Sequence, residues 1–279
     1  MVNLKTLRTS AAKRLEACKN DSPLADTDYI LKHMGFSKTD LLLGDKVVDE
    51  EAETAFWESI SRLEKGEPVQ YIVGKCEFMS LEFYVTPATL IPRSDTEILV
   101  EAVLEFCKTK SAPKIFEVGS GSGCIAISLA HFWQEAHVLS ADISKDALAV
   151  AEKNARFNKV SDRVKFIEHN ILKGFPEFES PPDIIVSNPP YIPSADVLTL
   201  DKKVKDFEPR SALDGGTDGL DFYRFLILNS PLNAGGYLAL EIGFGQSDAV
   251  IDLMEKHFDD VKLIKDLSGI DRVIVGTHR

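Results

Sequence analysis

Cysteine is scarce. The four in 279 residues (Cys18, Cys76, Cys107 and Cys124) include no Cys-x-x-Cys pair, which excludes a disulfide framework and a cysteine-bound zinc site. Scattered thiols of this kind suit a reducing, cytoplasmic compartment. The six histidines (His33, His131, His137, His169, His257 and His278) show no ligand spacing, so no metal is expected. Long apolar runs are missing as well. No window approaches the roughly 18 apolar residues of a membrane span, and the stretch from Met1 to Asn20 has no continuous apolar segment. A soluble protein with no membrane partner follows. Positive charge is also in deficit, with 32 basic residues against 44 acidic and a formal charge of -12. The first 88 residues and the remainder are both net acidic. A phosphate backbone is therefore a poor main partner, and no direct nucleic-acid binding is expected. Internal repeats and low-complexity tracts are absent. What remains is a chain with 44% hydrophobic and 27% charged residues, enough for a full core, at a length that suits one large α/β domain with a small satellite.

The first 70 residues read as helices only. Leu4, Leu7, Ala11, Leu15 and Cys18 recur at helical spacing, Ser22-Pro23 opens a second segment, and Gly35 ends it. Asp49 is placed to cap a helix whose Ala52, Ala55, Phe56, Ile60 and Leu63 share one face, with Gly66 past its end. From Gln70 the period changes. Gln70 to Gly74 and Glu82 to Val85 are short β-rich runs, and the domain linker is placed here, over residues 71–90. After a helix near Asp95 to Lys108, strands and helices alternate. The strands are expected at Lys114 to Val118, His137 to Ala141, Val164 to Glu168, Asp183 to Ser187 and Tyr237 to Ile242, with two closing strands near Val261 to Lys265 and Arg272 to Thr277. Such alternation predicts a doubly wound, mostly parallel sheet with helices on both faces, of the α/β class.

The first chemical signal is Glu117-Val118-Gly119-Ser120-Gly121-Ser122-Gly123, which follows an apolar strand and opens a helix. Glycines there let the backbone approach a ligand closely. The spacing differs from the dinucleotide pattern, and a carboxylate beside the loop suits an amino-acid ammonium better than a pyrophosphate. An S-adenosylmethionine site, a dinucleotide site and a purely structural loop all stay open on this run alone. Asp142 closes the next strand, where a carboxylate can accept both ribose hydroxyls of an adenosyl group; it can equally cap its own turn. Asn170, after the third strand, is placed for the adenine edge or for a bond to its own backbone.

The most informative run is Ser187-Asn188-Pro189-Pro190-Tyr191, directly after the fourth strand. Two prolines force the chain out of the sheet in a rigid turn. The Asn188 side-chain oxygen and the Pro189 carbonyl are two acceptors that suit the two N–H bonds of a planar amino group, and Tyr191 offers a flat face. The competing reading is a structural turn.

Together these residues resemble class I S-adenosylmethionine-dependent methyltransferases acting on a planar nitrogen, a set that includes DNA adenine and cytosine amino-methyltransferases. Three further stretches narrow the resemblance: Leu90 to Glu97, Glu208 to Leu220 and Asp266 to Arg272. They are similar to the HemK/PrmC family, the N5-glutamine methyltransferases of peptide chain release factors, over essentially the whole chain. Ser94 stands where the family commonly has proline, and Ile171 where it often has an aromatic residue.

The resemblance implies a Rossmann-like methyltransferase domain at 91–279 and an N-terminal helical domain at 1–70 that binds the protein substrate. It implies S-adenosylmethionine as donor, S-adenosylhomocysteine as product, and the glutamine of the Gly-Gly-Gln tip of class I release factors as acceptor, with the enzyme a monomer. The cofactor site it implies comprises Glu117, Gly119, Ser120, Gly121, Ser122, Gly123, Asp142, Asn170, Ile171 and Asn188. The catalytic turn is Asn188, Pro189, Pro190 and Tyr191, joined by Arg93 in substrate binding. Two other readings stand beside this one: base amino-methylation in nucleic acid, which calls for a basic stripe or target-recognition domain, and a non-catalytic adenosyl-binding module, which calls for a damaged Asn-Pro-Pro-Tyr turn.

Overall fold

The computed structural model describes all 279 residues, and the chain divides into two compact units. The first comprises Met1–Lys75 and Lys202–Phe207. Its helices are α1 (Leu4–Ala17), α2 (Pro23–His33), α3 (Lys38–Leu43), α4 (Glu50–Glu64), α5 (Val69–Val73) and the single turn α9 (Lys202–Lys205). Asn3, Ser37 and Asp49 cap α1, α3 and α4 by accepting backbone N–H groups of the first turn. Leu4, Leu7, Ala11 and Leu15 on α1 meet Ile30 and Leu31 on α2 and Phe56 and Ile60 on α4 in one apolar core. Lys203 bonds Asp21 at 2.8 Å, tying α9 to this core's surface.

Two expectations for this region change. The first 70 residues are not wholly helical, since β1 (Val2–Asn3) and β2 (Val47–Val48) pair antiparallel. The run Gln70 to Gly74 is not a strand but lies mostly in α5, because Pro68 starts the turn and Gly74 closes it with φ of 76°. Burial of Val69 and Tyr71 then outweighs their β preference.

The second unit comprises Cys76–Asp201 and Glu208–Arg279. It holds β5 (Lys114–Val118), β6 (His137–Asp142), β7 (Val164–Glu168), β8 (Ile184–Ser187), β9 (Tyr237–Glu241), β10 (Phe258–Lys265) and β11 (Asp271–His278) in one seven-stranded sheet of order β10-β11-β9-β8-β5-β6-β7. The five strands from β5 to β9 pair parallel, and β11 and β10 complete the edge antiparallel. The sheet's helices are α6 (Glu97–Cys107), α7 (Cys124–Phe132), α8 (Lys145–Phe157), α10 (Asp221–Asn229) and α11 (Ser247–Met254). No helix in the chain is long and apolar enough to cross a membrane.

The hairpin of β3 (Lys75–Phe78) and β4 (Leu81–Tyr84) docks on α8 through Asn154, whose amide bonds the N–H and C=O of Tyr84 at 2.7 and 2.9 Å and the carbonyl of Ser122 at 2.8 Å. A fully buried asparagine is tolerated here because backbone groups satisfy both ends of its amide. The chain runs β5, β6, β7 toward one edge and then crosses to β8 and β9 on the other side of β5. The topological switch point, where open α/β sheets hold ligands, therefore lies between the carboxyl ends of β5 and β8.

Candidate active site

A cavity of about 590 Å³ opens at that switch point. Its lining brings together Gly119, Ser120, Gly121, Ser122, Asp142, Asn170, Ile171, Asn188, Pro189, Pro190 and Arg93. This volume falls in the usual range for a small-molecule site.

The glycine loop leaves β5 with Gly119 and Gly121 at φ of 86° and 52°, a backbone region open to glycine at little cost. Side-chain carbon added at Gly121 would meet nothing within 4 Å, so the loop leaves free space where a ligand can lie against the backbone. Gly123 has another task. It starts α7 at φ of 81°, and a Cβ there would stand 2.9 Å from Ile127 and 3.1 Å from Ala151, so it packs α7 close to α8 and does not line the cavity.

Asp142 ends β6 and uses each carboxylate oxygen once. Oδ2 accepts the N–H of Gly121 at 2.9 Å, and Oδ1 accepts that of Ser144 at the same distance. A carboxylate has lone pairs to spare, so Asp142 holds the loop and still faces the cavity as an acceptor. Asn170 bonds its own backbone, its Oδ1 taking the N–H of Leu172 at 3.1 Å, which leaves its NH2 as the group free for a ligand edge. Ile171 and the half-exposed Ile143 give this end two apolar surfaces. Free backbone beside a loop, an acceptor carboxylate and flanking aliphatic faces fit an adenosyl amino acid.

Glu117 lies elsewhere than its position beside the loop suggests. It is fully buried behind the loop and off the cavity, accepting a short bond from Ser140, whose hydroxyl meets that of Ser120 at 2.6 Å. Burial pushes its carboxyl up to about 8, against the Ser140 bond that lowers it.

At the opposite end, Asn188 leaves β8 with its Nδ2 donating to the Thr96 hydroxyl at 3.1 Å. With Nδ2 engaged on Thr96, Oδ1 remains as the amide's acceptor, and Asn188 is part of the cavity lining. Tyr191 does not line the cavity. It is mostly buried beside Gly243, its carbonyl accepts the Gln246 amide at 2.9 Å, and its phenol is held above the ordinary value by burial. Phe222 supplies an aromatic ring to the cavity wall instead.

The stretch 208–220 explains the turn's rigidity. Ile192 pairs with Asp214, and a Cβ on Gly215 or Gly219 would stand 2.7 Å from the Pro190 carbonyl or 2.2 Å from that of Tyr191. Those glycines therefore exist to let two backbones touch. Arg93 is pinned by Glu208 at 2.5 Å, and Glu208 is itself buried with its carboxyl raised by burial against the pull of Arg93. Arg272 reaches both Asp266 and Asp95 at 3.0 Å. The three motif stretches thus converge behind one turn. No local signal in the sequence attaches a role to Thr96 or Glu241, the two side chains beside the Asn188 amide, because both come from strand or helix ends remote in the chain.

Parallel strands, a crossover at the switch point, a glycine loop and an acceptor carboxylate on the next strand define a Rossmann-like methyltransferase fold. Among solved structures, a methyltransferase from Pyrococcus furiosus matches at a TM-score of 0.51 with 19% identity over 71% of this chain and 89% of that one. The hMettl16 catalytic domain in complex with MAT2A 3'UTR hairpin 1 matches at 0.54 with 15% identity over 90% and 91%, a likeness of fold alone. The family described as the PrmC N-terminal domain matches residues 6–74, and that described as the methyltransferase small domain matches 94–202. Release factor glutamine methyltransferases of Moorella thermoacetica and Geobacter sulfurreducens are 42% and 41% identical, covering 96% and 90% of this chain and 96% and 88% of their own. The chain belongs to the release factor glutamine methyltransferases.

Proposed function

We propose that this protein, a soluble cytoplasmic monomer, methylates the side-chain nitrogen N5 of the glutamine in the Gly-Gly-Gln tip of class I release factors and so modulates translation termination. S-adenosylmethionine, held by Gly119 to Ser122, Asp142, Asn170 and Ile171, would supply a methyl group already activated by the positive sulfur and leave as S-adenosylhomocysteine. The observation that carries the reading is the Asn188 amide, held at its Nδ2 by Thr96 on the wall of the same cavity as the glycine loop, with Oδ1 left as an acceptor.

A carboxamide nitrogen is a poor nucleophile because its lone pair is shared with its carbonyl. Asn188 Oδ1 and the Pro189 carbonyl are two acceptors for its two N–H bonds, which lets the lone pair turn away from conjugation. The same oxygen dipoles favour the positive charge that develops on the nitrogen. Holding the amide in line in this way can lower the barrier by about 7 kcal/mol or more. No general base is required, since the acidified proton can leave after transfer. Pro190, Phe222 and Arg93 wall the cavity, Glu208 holds Arg93 in place, and Tyr191 braces the turn from behind.

Residues 1–75 are assigned to gripping the protein substrate, because one glutamine offers far less than the roughly 1,200–2,000 Å² of a specific protein contact. Base amino-methylation in nucleic acid gains no support from the acidic chain or from the names of its relatives. The test is mass spectrometry of release factors incubated with the protein and labelled donor. A label on the tip glutamine is expected, and unlabelled factors with a modified nucleic acid in a parallel incubation would overturn the reading.

A further inference from the structure

We infer that Glu241 is a positioning residue for methyl transfer, its carboxylate holding the Thr96 hydroxyl and the Asn188 NH2 so that the Asn188 oxygen is the atom presented to the substrate nitrogen. The inference rests on the role given to Asn188 above and extends it one step back into the core.

Glu241 is the last residue of β9, one strand over from the end of β8. It is 2% exposed, does not line the cavity, and has no lysine or arginine in direct ion-pair contact. Thr96 and Asn188 are the side-chain donors near enough to favour its ionised form, and its Oε2 has no hydrogen-bond partner. A buried carboxylate oxygen without a partner costs stability, and such groups ask for a functional reason. Leucine at this strand end would bury more comfortably.

The reason lies in the direction of the hydrogen bonds. An ionised carboxylate only accepts, so Thr96 must turn its hydroxyl proton toward Glu241. The threonine oxygen is then left to accept, and it takes an N–H of Asn188 at 3.1 Å. One fixed charge thereby fixes which end of the asparagine amide points inward. When Glu241 is protonated it can donate to Thr96, the threonine proton is freed to point at Asn188, and the flipped amide becomes acceptable. A flipped amide presents NH2 to an NH2 and cannot hold the substrate.

The groups facing Glu241 come from four elements. Asp95 and Thr96 lie in the turn before α6, and Asn188 and Tyr191 follow β8. Tyr223 of α10 donates to the Glu241 backbone carbonyl at 3.0 Å, and Arg272 of β11 stands near while bonded to Asp95 and Asp266. Burial raises the Glu241 carboxyl to about 7, and the Thr96 bond and Arg272 limit the rise. The ordering of Asn188 is therefore gained as pH rises through neutrality.

The test compares wild type, Glu241→Gln, Thr96→Val, Thr96→Ser and Asn188→Ala in single-turnover methylation of a release factor between pH 6 and 9, with calorimetry for the donor and thermal melts. Wild type is expected to show an acid limb centred near 7. Glu241→Gln should lose that limb and fall at least tenfold in rate at pH 8, with donor affinity within twofold and a melting temperature equal to or above wild type. Thr96→Val should resemble it while Thr96→Ser recovers most of the rate, which keeps the proposal testable if the glutamine variant fails to fold. Wild-type rate and limb in either Glu241→Gln or Thr96→Val overturn the inference. Rate loss matched by lost melting temperature, with the limb retained, also overturns it in favour of a structural role. If Asn188→Ala itself keeps near-normal turnover, the underlying reading of Asn188 fails instead.

Discussion

At the glycine-loop end of the cavity, Gly119 and Ser120 bond to the Ala141 carbonyl at 2.8 and 3.1 Å and Gly121 to the Asp142 carboxylate, all on the next strand of one β-α-β unit. At the other end, Asn188 leans on Thr96, 92 positions earlier, and on Glu241, and its turn leans on Gly215, Gly219 and Gln246. The first end is assembled by neighbours in the chain and spends its side chains on holding backbone. The second is assembled by distant segments and leaves one side-chain oxygen for chemistry. A cofactor common to many enzymes can be held by the first arrangement, whereas a poor nucleophile has to be oriented, here by contacts between segments far apart in the chain.

The sharpest way to separate the ends is Asn188→Ala. Turnover should fall by 10²-fold or more while donor affinity changes only a few-fold, because the lost oxygen acts mainly on the nitrogen that becomes charged. Single-turnover rates and calorimetry on the same preparation check it, and near-normal turnover would refute the role.

Asp142→Ala should act in the opposite sense. Losing charge-assisted bonds to ribose hydroxyls costs about 1.5–3 kcal/mol, or roughly 10- to 150-fold in dissociation constant, with the folded state retained. Because Asp142 also holds Gly121 and Ser144, a few degrees of melting temperature should go with it. An unchanged donor affinity by calorimetry would show that Asp142 is a loop clamp only.

Glu117→Gln tests whether the buried carboxyl behind the loop makes stability depend on pH. Its folded pKa of about 8 lies above the ordinary 4.5, so its contribution is fully present below 4.5 and is lost as pH rises through 8. In that window the group costs the wild type up to about 1.4 kcal/mol per pH unit. Denaturant midpoints measured at pH 5.5 and 7.5 should converge in the glutamine variant, and an unaltered pH slope would show that Glu117 stays ionised.

The smallest effect concerns neither end. If residues 1–75 grip the protein substrate, their exposed apolar residues are the first candidates, and Leu42 and Leu43 are 78% and 65% exposed. Replacing both with serine should raise KM for an intact release factor several-fold and leave activity on a short Gly-Gly-Gln peptide unchanged. Equal activity on both substrates before and after would assign these residues no part in recognition.

Read alone, the sequence determined the order of strands and helices in the sheet, because apolar runs of strand length alternate with helical faces from Lys114 onward. It also determined that Gly119 to Ser122, Asp142 and Asn188 reach one cavity, since chain polarity puts the residue after each parallel strand at the same sheet edge. What it left open was direction. Glu117 is one residue from the end of β5, and only the pleat and the packing of Ser140 turn it into the core. Tyr191 is next to two cavity-lining prolines, yet contacts from Gly243 and Gln246 hold it outside the lining. Gln70 to Gly74 had strand-like composition and fell mostly into the helix Val69–Val73 because caps and burial were decided by its neighbours. The orientation of the Asn188 amide was out of reach of any local pattern. It depends on a hydroxyl and a carboxylate from two other segments, and hydrogen-bond direction is set by whichever groups the finished fold places opposite each other.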